Sequence, residues 1–265
     1  MARAKMPHRG ASRGPFEKGG NLMVEIEGLE KSYGRTTALR GVTFAALPGR
    51  VTALLGPNGA GKTTTLRILL GLEDADGGSA LVDGRRYREL PEPLCEVGTL
   101  LDGPGAAGFR TPRTHLAWMA ASNGIARARI DEVIGAVGLA PVANKRVSGF
   151  SLGMGQRLGM AAALLGDPAT VILDEPANGL DAEGVVWVRH MVRRLAGEGR
   201  TVLVTSHLLH EVQEMADYLV VMAGGRIVRQ GALADLVGEG TDLEEAYFSW
   251  TRGREQYAAR GEDAR

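Results

Sequence analysis

The stretch Gly56-Pro57-Asn58-Gly59-Ala60-Gly61-Lys62-Thr63 constrains this chain more than any other. It fits the pattern G-x-x-x-x-G-K-[ST], with the apolar run VTALL before it and the helix-compatible TTLRILLGL after it. A strand that turns through glycines into a helix makes a phosphate-binding loop. The glycines let the backbone curl so that several N–H groups converge on phosphate oxygens, and the helix N-terminus adds about +0.5 of a charge. Lys62 is placed to hold the β- and γ-phosphates of a nucleotide such as ATP, and Thr63 to bring its hydroxyl to Mg2+. Thr64 is counted with the loop, although it and Thr65 serve the helix first.

A second motif answers the first. The apolar run VILDEP ends in Asp174 and Glu175, and the C-terminal edge of a parallel sheet is where ligands gather. Asp174 suits a water-mediated hold on Mg2+, and Glu175 can point toward the water that attacks the γ-phosphate. Taken with the loop, this pair reads as a nucleoside triphosphatase.

The order of segments sets the fold class. Residues 24–82 read as short strands (VEIEGL, VTFAAL, VTALLG, SALVDG) broken by Gly and Pro, with one helix starting at the loop. Residues 113–138 show helical spacing, with Leu116, Met119 and Ala120 on one stripe and Ile130, Val133, Ile134 and Val137 on another. Then come the strand TVILDEP, a helix around residues 185–195, the strand TVLVTS and a helix through 210–216, the alternation of a parallel α/β sheet. YLVVMAGGRIVRQG predicts a hairpin, and an amphipathic helical tail follows Leu233.

Charge and composition narrow the partners. Thirty-one basic residues balance 31 acidic ones, which points away from nucleic acid and from an anionic membrane surface. The single Cys95 excludes an intrachain disulfide framework and a Cys-based zinc cluster, and fits a reducing compartment. No run approaches about 18 apolar residues, so a membrane role needs a partner that spans the bilayer. Residues 1–22 are basic, rich in Gly and Pro, and without a signal-peptide core; they read as a disordered extension or a misassigned start, with Met23 opening the first patterned segment.

From residue 24 to about 231 the chain resembles the ATP-binding cassette (ABC) family, and is similar to its bacitracin- and daunorubicin-type exporter ATPases. Phe150-Ser151-Leu152-Gly153-Met154-Gly155-Gln156-Arg157 resembles the signature LSGGQ with its Q-R pair; Ser151 and Gly153 fit, while Leu152 and Met154 depart from it. The resemblance implies that this loop caps ATP bound to the opposite subunit, with Ser151 donating to the γ-phosphate. Asn178-Gly179-Leu180-Asp181 resembles the D-loop, which crosses that dimer interface. His207 stands where the family keeps a histidine that contacts the γ-phosphate and orients Glu175. Tyr33 matches the aromatic that stacks on adenine. His8, His115, His190 and His210 receive no role. Asp102 occupies the place of the family's Mg2+-linking glutamine, where a carboxylate can still ligate Mg2+ or position water.

The implied fold is α/β: a P-loop NTPase core with an antiparallel β subdomain and an inserted helical subdomain. The expected bounds are 23–232 for the ATPase domain, with the insert at about 103–156, and 233–265 for a helical tail. One phosphate loop and one signature per chain imply a head-to-tail dimer of two copies. The resemblance also implies that the loop from Asp102 passes the motion to a separate ABC-2 type membrane permease, with this chain peripheral on the cytoplasmic side. DLEEAYFSWT resembles the LEE-x-[FY] stretch of exporters, which favours export of a drug, antibiotic or other small molecule or lipid. A soluble ABC ATPase acting on ribosomes or DNA would carry two cassettes or a long coiled-coil insertion, and neither appears. Asp102 and the altered signature motivate one further alternative, a nucleotide-binding regulator that scarcely hydrolyses.

Overall fold

The computed structural model describes residues 23–101, 105–238 and 242–252. The disorder expected of residues 1–22, the metal position given to Asp102 and the part of the expected tail beyond residue 252 lie outside the described residues.

The chain opens with β1 (Val24–Tyr33), β2 (Thr36–Ala46) and β3 (Arg50–Leu55), then α1 (Lys62–Leu69), β4 (Gly77–Val82), the single turn α2 (Pro93–Glu96) and β5 (Val97–Leu100). Three helices follow: α3 (Pro112–Ser122), α4 (Ala128–Ala136) and α5 (Leu152–Ala163). The alternating half runs through β6 (Thr170–Leu173), α6 (Ala182–Gly197), β7 (Thr201–Ser206), α7 (Leu209–Met215), β8 (Tyr218–Ala223) and β9 (Arg226–Ala232). The described part ends with α8 (Leu233–Leu236) and α9 (Leu243–Thr251). No helix among the described residues is long and apolar enough to cross a membrane.

Two sheets result. An antiparallel one has the order β2-β1-β4, and a six-stranded one has the order β5-β6-β7-β3-β8-β9, parallel except for β9, which returns antiparallel from β8. The parallel strands are apolar on both sides because both faces are covered. Alternate residues feed two cores: Val51, Ala53, Leu55, Val171, Leu173, Val202 and Val204 face the helices α3 to α6, while Leu54, Ile172, Leu203, Val220 and Met222 face α1 and the antiparallel sheet. Burial on this scale contributes roughly 1.5–3 kcal/mol for each large aliphatic side chain.

The helix ends follow local chemistry. Pro112 opens α3 behind the cap Thr111, whose hydroxyl accepts from the Thr114 N–H. Asp181 caps α6 by accepting from the Gly184 N–H at 2.8 Å, so this helix starts at residue 182, ahead of the apolar spacing that first marks it at 185. Within α3, Leu116 and Ala120 are buried, whereas Met119 packs only at the edge of the core. Leu243 of α9 is fully buried against that same core, and Tyr247 and Trp250 pack beside it.

Candidate active site

The loop of residues 56–61 joins β3 to α1 and is shaped by crowding. Gly61 has φ 105°, and a Cβ there would lie 2.6 Å from Leu39 Cδ2; at Gly56 it would lie 2.5 Å from the carbonyl oxygen of Met222. Only glycine fits both places. No side chain caps α1 at Gly61, so the orphan N–H groups of its first turn keep their capacity for an anion. Ala60 N–H closes a turn onto Pro57 O at 3.1 Å, which leaves Asn58 and Gly59 exposed at the tip. Thr65 turns its hydroxyl onto Gly61 O at 2.9 Å and serves the helix, as expected of it.

Lys62 is 5% exposed, and its Nζ donates to Gly56 O at 2.7 Å. It also pairs with Glu175 Oε1 at 3.2 Å. The other Glu175 oxygen, Oε2, lies 2.7 Å from His207 Nδ1. Asp174 holds Thr63 Oγ1 on Oδ2 at 2.8 Å and the Thr205 hydroxyl on Oδ1. Five side chains named from the sequence (Lys62, Thr63, Asp174, Glu175, His207) therefore converge. The ends of β6, β7 and β3, neighbours in the sheet, place them. Glu175 has φ 48°, a left-handed conformation that costs a side-chain-bearing residue on the order of 1–2 kcal/mol. Its N–H donates to Thr205 Oγ1 at 2.9 Å.

Other expected site residues lie in separate groups. Tyr33, at the end of β1, is 48% exposed; its hydroxyl donates to the Glu73 carboxylate, and Lys31 Nζ stands 5.4 Å from its ring centroid. Glu73 also takes Arg67 of α1, so the ring is tied to the helix that follows the phosphate loop. The Thr64 side chain reaches the same tyrosine hydroxyl. Burial first, then the Glu73 contact, push the Tyr33 phenol up, while the Tyr33 hydrogen bond first, then Arg67, hold the Glu73 carboxyl down. Ser151 caps α5, accepting from the Met154 N–H at 3.3 Å. Gly153 lies in the first turn of α5 beside Leu180, and Leu152 rests against Gly179, so the 151–154 turn touches the 178–181 turn of its own chain. Among the described residues, Tyr33, Ser151, Gly153 and Asp181 make no hydrogen bond or ion pair with Lys62, Asp174, Glu175 or His207.

With this geometry in place, comparison with known proteins decides the family. The model of the ABC transporter family matches residues 39–178, more than half of the chain. The chain belongs to the ABC transporter family.

Within that family it is 36% identical over 206 residues to the lantibiotic transport ATP-binding protein SrtF of Streptococcus pyogenes, covering 78% of this chain and 89% of that protein. It is 36% identical over 217 residues to the bacitracin transport ATP-binding protein BcrA of Enterococcus faecalis, covering 81% of this chain and 70% of that one. A solved ATP-binding subunit of an ABC transporter superposes with a TM-score of 0.78 at 26% identity, over 86% of this chain and 99% of that one. The chain is thus an ABC ATP-binding subunit and an ATPase, with the α/β fold of an ABC nucleotide-binding domain. ABC ATPases function as dimers and with transmembrane permease subunits.

Two residues of this cassette's site escaped the sequence reading. Thr205 is fully buried yet holds both carboxylate residues; the one available signal is a hydroxyl that follows the apolar run Val202-Leu203-Val204. Glu211 lies in the first turn of α7, its carboxyl pushed up by burial and then by the charge of Glu175, and drawn partly back by His207 and His210. Its spacing of four from His207 was the only hint.

Proposed function

We propose that this chain hydrolyses ATP at the cluster of Lys62, Thr63, Asp174, Glu175 and His207, and thereby energises export through a separate membrane permease. The observation that carries the reading is the Glu175 carboxylate, one oxygen 3.2 Å from Lys62 Nζ and the other 2.7 Å from His207 Nδ1. Phosphate groups in the loop compete for Lys62, and its departure frees Oε1 to face the attacking water. Glu175 takes the proton of that water as its oxygen bonds to the γ-phosphorus and the bond to ADP breaks. His207 holds the other oxygen and so fixes the direction of the carboxylate. Tyr33 offers its ring to adenine.

The donor set fits Mg2+, which takes oxygen ligands and retains water. Thr63 and Asp174 bring a hydroxyl and a carboxylate within 2.8 Å of each other. No group of three or more His, Cys, Asp or Glu that could hold a metal occurs among the described residues, which suits an ion that completes its shell with phosphate oxygens and water. Asp102 is the third proposed ligand. Bound there, Mg2+ would neutralise charge on the β- and γ-phosphates.

Ser151, Gly153 and Asp181 stand apart from the Lys62 cluster, which supports their service to ATP on a second copy in a head-to-tail dimer. The lantibiotic and bacitracin transport relatives support an exported drug, antibiotic or similar small molecule or lipid, and a permease of ABC-2 type. The chain is then peripheral on the cytoplasmic face, with the domain at 23–232, its insert at about 103–156 and the tail at 233–265. To test this, tagged Glu175→Gln protein is purified with ATP from detergent-solubilised native membranes, and what accompanies it is identified by mass spectrometry. A multi-helix membrane protein is expected. Recovery of soluble complexes alone would replace export with the soluble-ATPase reading.

A further inference from the structure

Strand β7 reaches the site at two points. His207, just past its end, meets the carboxylate of Glu175, and Thr205, within it, meets the backbone of the same residue. Thr205 has no exposed surface, and Val202, Leu203 and Val204 before it are equally buried. A hydroxyl in such a strand is unfavourable unless paired, and this one is paired twice. It accepts from the Glu175 N–H at 2.9 Å and donates to Asp174 Oδ1. A carboxylate could only accept here, and valine could do neither.

We propose that Thr205 is a positioning residue for ATP hydrolysis, using one hydroxyl to fix both the carboxylate that faces Mg2+ and the left-handed backbone of the base. The inference rests on the roles proposed above for Asp174 and Glu175. Thr63 Oγ1 donates to Asp174 Oδ2 at 2.8 Å, and a hydroxyl that binds a metal ion through an oxygen lone pair keeps its proton for that bond. Thr205 holds the other oxygen, so the two hydroxyls together fix the plane of the Asp174 carboxylate. At Glu175, φ 48° needs a partner for the N–H that the strand ladder no longer supplies.

The test replaces Thr205 with Val, which removes the hydroxyl at nearly constant volume, and with Ser, which keeps it. Three quantities are read on the purified full chain: binding of a fluorescent non-hydrolysable ATP analogue as Mg2+ is titrated, steady-state ATPase activity, and the thermal midpoint. Partners that orient metal ligands are worth about 10- to 100-fold in metal affinity or activity. Thr205→Val is accordingly expected to raise the Mg2+ needed for half-maximal binding and to lower kcat within that range, with KM for ATP changed by less than about threefold. Thr205→Ser returns both toward the parent values. If Thr205→Val does not fold, Thr205→Cys, a weak donor and acceptor, reads the same way. A lowered midpoint with unchanged Mg2+ dependence and kcat would make Thr205 a packing residue and overturn the inference. Asp174→Asn is measured beside it: no change in Mg2+ dependence there would instead remove Asp174 from the metal, and the inference would fall with that assignment.

Discussion

Glu175 gathers more of the site's physics than any other residue: a left-handed backbone, a buried lysine on one oxygen and a histidine on the other. Replacing it by Gln keeps the shape and removes the proton acceptor, so turnover is expected to fall by about 10²–10⁴ with ATP affinity retained, as steady-state assay and equilibrium binding would show. Turnover near the parent rate would take the role of base from Glu175. Glu211 gives a pH dependence. Its folded carboxyl lies above the ordinary 4.5, so the folded chain binds this proton more tightly than the unfolded chain. Its contribution to stability is therefore lost as pH rises from 4.5 through the raised value. Glu211→Gln should melt higher than the parent at pH 7.5, with the difference shrinking toward pH 4; equal midpoints throughout would contradict it. Lys62, Thr63, Asp174 and Glu175 were legible because their spacing next to a strand end is itself the chemistry. Thr205 and Glu211 were not, because what defines them is a neighbour 30 or 36 positions away, reached only across the sheet.

At the scale of elements, apolar runs located β3, β6, β7 and β8, and helical spacing located α3, α4, α6 and α7. Less legible was where elements stop. The cap at Asp181 lengthened α6, and α8 is a single turn that apolar periodicity is too short to register. Contacts between elements were invisible in sequence as well. Arg157 of α5 lies 4.3 Å over the Trp187 ring of α6 while donating to Val137 O at 3.0 Å, tying three elements with one side chain. The tail packs as an amphipathic helix should: Leu243 has no exposed surface and α9 packs on α7, which follows His207. Leu243→Ala is expected to lower unfolding free energy by about 2–4 kcal/mol, read from denaturant midpoints at constant slope. A change under about 0.5 kcal/mol would mean that α9 is not docked as described.

At the scale of the whole molecule, the two cores on either side of one sheet put the phosphate loop, the carboxylate strand and His207 on a common edge, while the 151–154 and 178–181 turns meet each other elsewhere. In the reading proposed above, that common edge is the reacting half of an ATP site and the two turns are the capping half. By the same proposal, two copies set head to tail complete both halves and stay together while ATP remains unhydrolysed. The decisive measurement is the solution mass of the Glu175→Gln chain by light scattering, with Mg2+ and saturating ATP and then with ADP. Twice the protomer mass with ATP, and the protomer mass with ADP, is the predicted result. A protomer that stays single with ATP demonstrably bound would contradict the composite site.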